Sequence, residues 1–255
     1  MNDDHLRILD HPIIAQRYFF PRSETFPDPV YVSAPGAKLA CWRSAPPSDR
    51  PVVVYFHGNG EVVSDWISIL PQLCEPVGYD VFLAEYRGYG MSTGQPALHS
   101  MLEDVELIAQ AVGVPASQIV VFGRSVGSIY ALEWISRLPE TRGLIIESGI
   151  HDVLQRLRLR MEPEELGCTD AELRAATHEH VNHKAKLEAY SGPSLFMHAE
   201  GDRLVTIDHA HANHAAAQRG RLARLPRGGH NDILMANLPE YAHTLRAFLS
   251  DLIKT

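Results

Sequence analysis

The sequence predicts an α/β protein in which helices cover both faces of a mostly parallel β-sheet. Five short, continuous apolar runs support this: "PVVVYFH", "YDVFLAEY", "QIVVFG", "GLIIES" and "PSLFMHA". Such runs are typical of strands that are buried on both faces of a sheet. Helix-like segments separate them, at about 62–75, 98–112, 126–138, 207–218 and 238–253. Strands that alternate with helices form right-handed βαβ units, and this alternation defines the predicted fold class.

The composition fits a single large domain. The chain has 255 residues, of which 45% are hydrophobic, and this length can bury a sizeable core without a second domain. We therefore expect residues 1–255 to form one domain. The formal net charge of -8 argues against nucleic acid as a partner, because proteins that bind it usually carry an excess of basic residues.

The first residues and the cysteines bear on the compartment. The opening "MNDDHLRILDHP" is acidic and lacks the apolar core of a signal peptide. No run approaches the ~20 apolar residues of a membrane span. Cys41, Cys74 and Cys168 are too scattered for a disulfide framework and fit a reducing compartment. We expect a cytoplasmic protein without stable membrane insertion.

Two segments depart from the alternating pattern. The stretch "HPIIAQRYFFPRSETFPDP" is rich in proline and aromatic residues, and we expect an extended arm there, followed by two strands around the Pro-Gly turn of "VYVSAPGAKLACWRS". Residues 150–190 are mostly helical in character. Because loops between helices and strands usually have ~2–6 residues, we expect this longer segment to be an inserted helical lid over the sheet edge.

Two stretches match the pattern Gly-x-Ser-x-Gly, one around Ser125 and one around Ser92. The pattern marks a nucleophile elbow when a strand precedes it and a helix follows, because the tight turn then lifts the serine hydroxyl above the sheet. Ser125 follows "QIVVF" and precedes the helical "VGSIYALEWISRL", whereas Gly94 and Pro96 oppose a helix after Ser92. We therefore predict Ser125 as the nucleophile and place Ser92 in a neighbouring loop.

A serine nucleophile needs a base, and the base needs an acid to orient it. In a sheet of this kind, the chain order is serine, acid, histidine. Asp202 follows the strand "PSLFMHA", and His230 lies in the glycine-bracketed loop "PRGGHNDIL", so we predict these two as acid and base. Glu147, at the end of "GLIIE", is an alternative acid. We expect His198 to pack in its strand and His57 to bond within its own loop.

The reaction also needs donors for the oxyanion of the tetrahedral intermediate. One donor should be the backbone N–H of Val126, which follows the nucleophile at the start of a helix. The other should come from the loop after an earlier strand. Its sequence is "YFHGNGE", and we predict the backbone N–H of Asn59.

The stretches "YFHGNGE", "EYRGYGMSTG", "GRSVGS", "AEGDRLV" and "GGHND" occur in an order that resembles the alpha/beta-hydrolase superfamily over residues 30–253. The chain is similar to bacterial serine aminopeptidase-like or lysophospholipase-like hydrolases and to eukaryotic membrane-associated thioesterases. The resemblance implies an eight-stranded, mostly parallel sheet and hydrolysis of carboxylic esters or thioesters. It assigns the nucleophile, acid and base to Ser125, Asp202 and His230, and the oxyanion donors to Asn59 and Val126.

Other polar clusters carry weaker signals. The stretches "HEHVNH" and "HAHANH" each offer only one i, i+3 histidine pair, and no cysteine or carboxylate completes a familiar zinc spacing. We expect polar helix surfaces there, and neither a metal nor a cofactor. Arg156, Arg158 and Arg160 lie in the predicted lid. They could favour anionic substrates, although a solvated face is the simpler expectation.

The leading hypothesis is a serine esterase or thioesterase that acts on a small-molecule acyl ester or thioester through an acyl-enzyme. Peptidase or acyltransferase chemistry on the same fold is an alternative. A non-catalytic binding protein is a weaker one, because no member of the triad is missing. We expect apolar side chains of the lid to contact the acyl chain: Leu154, Leu157, Leu159 and Met161.

Overall fold

A computed structural model describes residues 3–254, and eight strands form one sheet within them. The strands are β1 (Val30–Ala34), β2 (Ala37–Arg43), β3 (Val52–Phe56), β4 (Asp80–Ala84), β5 (Ile119–Arg124), β6 (Gly143–Glu147), β7 (Ser194–Ala199) and β8 (Gly220–Leu225). Their order is β1-β2-β4-β3-β5-β6-β7-β8. The pairs β1·β2 and β2·β4 are antiparallel and the others are parallel, which confirms the predicted sheet.

Helices connect the strands. They are α1 (Asp3–Leu9), α2 (Pro12–Tyr18), α3 (Leu70–Cys74), α4 (Leu98–Val112), α5 (Gly127–Arg137), α6 (Val153–Arg158), α7 (Asp170–His180), α8 (His183–Ala189), α9 (Ile207–Ala216), α10 (Ile233–Ala236) and α11 (Leu238–Ile253). The bounds of α4 and α11 match the prediction, and α5 and α9 differ by at most two residues at either end. The predicted helix at 62–75 is instead a 3-10 turn, Val63–Asp65, followed by the short α3.

The apolar strands are buried on both faces. In β3, Val54 and Phe56 join the core on the side of α4 and α5. Val53 and Tyr55 point the other way, into the core beneath α3 and α11. Every residue of this strand is therefore buried, as expected for a strand covered on both sides.

The N-terminal segment differs from the extended arm that we predicted. Residues 12–18 form α2, which has Pro12 in its first turn and the His11 ring accepting a hydrogen bond from the Ile13 N–H. Ile14 and Tyr18, four residues apart, share a helix face and are buried. Proline is tolerated in the first turn of a helix, so its presence did not exclude one here. Only residues 19–29 are extended or irregular.

The predicted lid lies between β6 and β7 and contains α6, α7 and α8. Each helix begins at a side chain that accepts a backbone N–H: Asp152 for α6, Thr169 for α7 and Asn182 for α8. Such caps satisfy N–H groups that have no partner within the helix. Leu157 and Leu187 anchor the insertion, because both are fully buried in the core.

The parallel strands end at one edge of the sheet. Phe56 aligns with Gly123, and Arg124 aligns with Glu147. The loops after β3, β5 and β7 therefore leave the sheet at the same edge, which is the carboxyl edge where ligands bind in open α/β sheets. This edge brings the predicted site residues together.

Candidate active site

Ser125 occupies the turn between β5 and α5. Its φ of 51° lies in the left-handed region, which is uncommon for a residue other than glycine. The turn is held by the Ser125 N–H, which donates to the Glu147 carbonyl at 2.9 Å, and by the Ser128 hydroxyl, which donates to the Ser125 carbonyl at 2.6 Å. The strained backbone is thus fixed on both sides, as a nucleophile elbow requires.

The two flanking glycines are required by close approaches of the backbone. A Cβ at Gly123 would lie 2.6 Å from the Gly127 carbonyl oxygen. A Cβ at Gly127 would lie 2.1 Å from the Phe56 carbonyl oxygen of the neighbouring strand. Any side chain at either position would therefore push α5 away from the sheet and displace Ser125.

Ser125, His230 and Asp202 form a continuous chain of hydrogen bonds. The Oγ of Ser125 lies 2.8 Å from Nε2 of His230, and Nδ1 of His230 lies 2.7 Å from Oδ2 of Asp202. Because a carboxylate only accepts hydrogen bonds, Nδ1 carries the proton and Nε2 is free to accept the serine proton. The structure therefore brings together the three residues that the sequence pairs as nucleophile, base and acid.

Asp202 is buried and held by its own loop. Its Oδ1 accepts the backbone N–H groups of Leu204 and Val205, both at 2.9 Å. Burial raises the pKa of Asp202, but hydrogen bonds from His198 and His230 outweigh it and hold the pKa well below its usual range. His198 is fully buried, as expected, and its Nε2 lies 2.8 Å from the Val205 carbonyl and 3.4 Å from Oδ2 of Asp202. The acid therefore stays ionised at neutral pH.

Asn59 and Val126 both line the cavity that holds Ser125. Within residues 3–254, neither backbone N–H has a hydrogen-bond partner. The side chain of Asn59 is engaged elsewhere, because its Oδ1 accepts from the Phe20 N–H and the Tyr89 hydroxyl, each at 2.9 Å, and its Nδ2 donates to the Tyr18 carbonyl. These bonds fix the loop after β3 and leave its backbone donor available.

Comparisons with known proteins show which sequences and structures this chain resembles. The family model described as "Serine aminopeptidase, S33" matches residues 47–165, which include Ser125 but neither Asp202 nor His230. Mouse alpha/beta hydrolase domain-containing protein 17C is 25% identical over 210 residues, covering 80% of this chain. The match spans 61% of the length of that relative.

Similarity to solved structures shows which fold the chain has. Est1E from Butyrivibrio proteoclasticus, with ferulic acid bound, has a TM-score of 0.74 at 19% identity and covers 89% of this chain and 100% of its own. Mouse alpha/beta hydrolase domain-containing protein 10 has a TM-score of 0.70 at 15% identity, covering 91% of this chain and 98% of its own. The chain has the alpha/beta-hydrolase fold. The predicted resemblance to this superfamily is confirmed.

Arg124 ties the histidine loop to the sheet, a contact that the sequence analysis missed. Its Nη2 donates to the His230 carbonyl at 2.8 Å, its Nε donates to Glu147 at 2.9 Å, and its Nη1 lies 2.5 Å from Glu61. A signal was available, since an arginine directly before the nucleophile, at the end of a buried strand, needs carboxylate partners.

Glu147, the alternative acid, does not contact the histidine ring. Its partners are the Arg124 guanidinium and the Tyr241 hydroxyl. Burial raises the pKa of Glu147, and the charge of Arg124 opposes this rise. Glu147 thus neutralises the arginine that holds the His230 loop.

The serine of the second Gly-x-Ser-x-Gly motif bonds within the structure around its own loop. The Oγ of Ser92 accepts the Ala40 N–H at 2.8 Å, and Ser92 does not border the cavity beside Ser125. His57 is buried between the Gly58 carbonyl, at 2.8 Å, and Glu85, at 2.6 Å. His57 therefore bonds to its own loop, as expected, and to a carboxylate that was not anticipated.

The cavity that holds Ser125 has a volume of about 190 Å³. Its lining contains no carboxylate among the described residues; it consists of Tyr18, Phe20, Asn59, Arg124, Ser125, Val126, Ile150, Arg156, Arg160, Leu204, Val205, His230 and Asn231. A larger cavity of about 780 Å³, between α7 and residues 151–154, contains neither Ser125 nor His230. Of these two cavities, the smaller is therefore the one that contains Ser125 and His230.

The lid contributes different residues to this cavity from those that we predicted. None of Leu154, Leu157, Leu159 and Met161 lines it. Leu157 and Met161 are buried in the core, and Leu159 is 67% exposed. Arg156 and Arg160 line it instead. Arg160 is exposed and Arg156 is half-buried, so both also meet solvent, and Arg158 pairs with Asp170.

The histidine-rich stretches separate in the structure. Among residues 3–254, one group of three donors has spacing compatible with a metal, namely His5, Glu179 and His180, whose donor atoms lie within 4.8 Å of one another. His183 instead bonds to the Ile150 carbonyl at 2.7 Å. Within the same residues, no helix has both the length and the apolar character to cross a bilayer.

Proposed function

We propose that this chain is a serine hydrolase that cleaves carboxylic esters or thioesters through an acyl-enzyme. The observation that carries the proposal is the hydrogen-bonded chain Ser125–His230–Asp202, with distances of 2.8 and 2.7 Å, beside two unpartnered backbone N–H groups. This arrangement provides a nucleophile, a base and two oxyanion donors at one cavity, with an orienting acid bound to the far side of the base.

The first half of the reaction forms the acyl-enzyme. Nε2 of His230 takes the proton of the Ser125 hydroxyl while Oγ attacks the acyl carbon. The N–H groups of Asn59 and Val126 stabilise the oxyanion of the tetrahedral intermediate; loss of one such donor typically costs ~2.7–4 kcal/mol of barrier. The bond to the leaving oxygen or sulfur then breaks, and His230 returns its proton to the departing alcohol or thiol.

The second half releases the acid. His230 accepts a proton from water, and the hydroxide attacks the acyl carbon bound to Ser125. When this intermediate collapses, the bond to Oγ breaks, the proton returns to Ser125, and a carboxylic acid leaves. The solved structure of Est1E contains ferulic acid, which belongs to the class of compounds that ester hydrolysis releases.

The size and charge of the cavity narrow the substrate. Its volume of about 190 Å³ lies below the ~300–1,000 Å³ of typical ligand pockets, which favours short acyl groups. Removing the amino-terminal residue of a peptide requires recognition of a cationic amine, and the described lining offers no carboxylate for it. The site therefore supports an esterase better than an aminopeptidase.

The two Gly-x-Ser-x-Gly motifs provide a matched test. Ser125→Ala should lower kcat for p-nitrophenyl acetate by ~10⁴-fold or more, because the nucleophile is lost. Ser92→Ala removes one loop hydrogen bond and should leave kcat within about twofold once melting curves show a folded protein. Retained activity in the Ser125 variant, or its selective loss in the Ser92 variant, would contradict the proposal.

A further inference from the structure

Arg156 and Arg160 are four residues apart, at the end of α6 and in the turn after it, and both reach the cavity that holds Ser125. Residues at this spacing share one face of a helical segment. Leu157 lies on a different face and is buried in the core, so it fixes how the segment is rotated. The two guanidinium groups are therefore presented to the catalytic edge by the packing of the lid.

Neither guanidinium has a carboxylate partner. Arg156 donates to the Leu204 carbonyl at 2.9 Å. Arg160 donates to the Arg17 carbonyl at 3.1 Å and lies 5.2 Å from the centre of the Phe20 ring. Within residues 3–254, no Asp or Glu oxygen comes within 4.0 Å of either group, whereas Arg158 between them is paired with Asp170.

A guanidinium carries five N–H donors, and these two each use few of them. The third arginine of the cavity, Arg124, is already neutralised by Glu147 and Glu61. The charge of Arg156 and Arg160 is therefore the uncompensated charge at the site. It stands out in a chain whose net charge is -8.

We propose that Arg156 and Arg160 form a subsite for an anionic group, a carboxylate or a phosphate, on the ester or thioester that Ser125 attacks. This inference rests on the proposed function and adds a substrate class to it. Guanidinium groups bind carboxylates and phosphates through charge-assisted hydrogen bonds, which are about twice as strong as neutral ones. The preferred substrates are short acyl compounds that carry a negative charge in the acyl part or in the leaving group.

Turnover of paired substrates tests the subsite. For each variant, the ratio of kcat/KM for an anionic ester to that for its neutral analogue is measured. Mono-p-nitrophenyl succinate is paired with p-nitrophenyl butyrate for a charge in the acyl part, and 4-carboxyphenyl butyrate with phenyl butyrate for a charge in the leaving group. Arg156→Gln and Arg160→Gln should each lower the ratio by about 5–10-fold in at least one pair. Added salt should lower the wild-type ratio.

Arg158→Gln is the matched control, because this arginine lies on the same segment but pairs with Asp170 on the surface. Arg158 does not line the cavity, and exposed ion pairs contribute little to stability, so the ratio and the activity of this variant should match wild type. If the Arg156 and Arg160 variants leave both ratios unchanged while neutral esters are hydrolysed, the subsite is refuted and the proposed function stands. If Arg158→Gln lowers the ratio equally, the effect is a general one of charge and the subsite is also refuted.

A binding measurement tests the subsite without turnover. The Ser125→Ala variant is titrated calorimetrically with monomethyl succinate, propyl phosphate and neutral methyl butyrate. We expect at least one anion to bind about tenfold more tightly than methyl butyrate, and its identity distinguishes carboxylate from phosphate. Adding Arg156→Gln and Arg160→Gln should abolish this preference. Equal binding of all three compounds would overturn the inference, even if no ester is turned over.

Discussion

Asp202 and Glu147 are both buried carboxylates near the carboxyl edge of the sheet, and their partners separate their roles. Asp202 contacts Nδ1 of His230, whereas Glu147 contacts Arg124 and Tyr241. Parallel strands deliver both to one edge, so the sequence predicts Asp202 from its place before His230 and leaves Glu147 as an alternative. The difference comes from the loop after β7, which turns Asp202 toward the histidine.

This difference predicts unequal effects on the reaction. Asp202→Asn should fold and lower kcat for p-nitrophenyl acetate by up to ~10⁴-fold, because the histidine loses the acid that orients it. Glu147→Gln should cost much less in kcat. It should lower Tm instead, because the buried Arg124 loses a charged partner. Steady-state kinetics and melting curves on both variants provide the comparison. If the Glu147 variant is inactive and the Asp202 variant is active, Glu147 at the end of β6 is the orienting acid and the assignment of Asp202 is wrong.

At the scale of an element, the lid shows which features of a helix the sequence predicts and which it does not. A helical pattern in residues 150–190 was visible in the sequence, but not the face that each helix turns toward the catalytic edge. The sequence predicts that leucines of the lid contact the acyl chain. Instead, Leu157 and Met161 are buried in the core, and Arg156 and Arg160 line the cavity. Which face of a short helix packs inward depends on its neighbours, and a single sequence does not show them.

The docking of α8 depends on a neutral histidine. His183 is buried, its Nδ1–H donates to the Ile150 carbonyl at 2.7 Å, and burial lowers the pKa of its ring to about 3. Its usual value is ~6.5, so between these limits the unfolded chain binds a proton that the folded chain does not. The free energy of unfolding therefore rises with pH through this window, by up to ~1.4 kcal/mol per pH unit from this residue.

His183→Gln should thus lose more stability near pH 7.5 than near pH 4.5. Urea unfolding across this range should show the gap between wild type and variant narrowing as the pH falls, by up to ~1.4 kcal/mol per pH unit. The exposed His178 on α7 supplies the control, since His178→Gln removes no buried contact and should differ little from wild type. A gap for His183→Gln that does not change with pH would contradict the assigned protonation state.

Across the whole molecule, the sequence predicted best what depends on local periodicity. The central strands β3, β4, β6 and β7 lie within the predicted apolar runs, β5 extends one residue beyond its run to Arg124, and α4 and α11 have the predicted bounds. The edge strand β8 is half-exposed and contains Arg221 and Arg224, so no apolar run marked it. In α2, proline and aromatic residues concealed a short helix that is stabilised by burial of Ile14 and Tyr18.

The candidate site was partly predictable for the same reason. Ser125 and Asp202 follow predicted strands and His230 lies in a glycine-bracketed loop, so the strand ends, that loop and the chain order located them. The network around Arg124 and the two arginines of the lid join residues far apart in the chain, and only tertiary packing brings these together.

The central claim is that Ser125 is the nucleophile, and the position of a covalent label tests it most directly. The protein is treated with a fluorophosphonate, cleaved with trypsin after Arg87, Arg124 and Arg137, and examined by fragment mass spectrometry. The serines of the two motifs then fall in different peptides, residues 125–137 and residues 88–124. We predict one adduct per chain, on Ser125 in the shorter peptide. An adduct in the peptide 88–124, or a folded protein that takes up no label, would contradict the account.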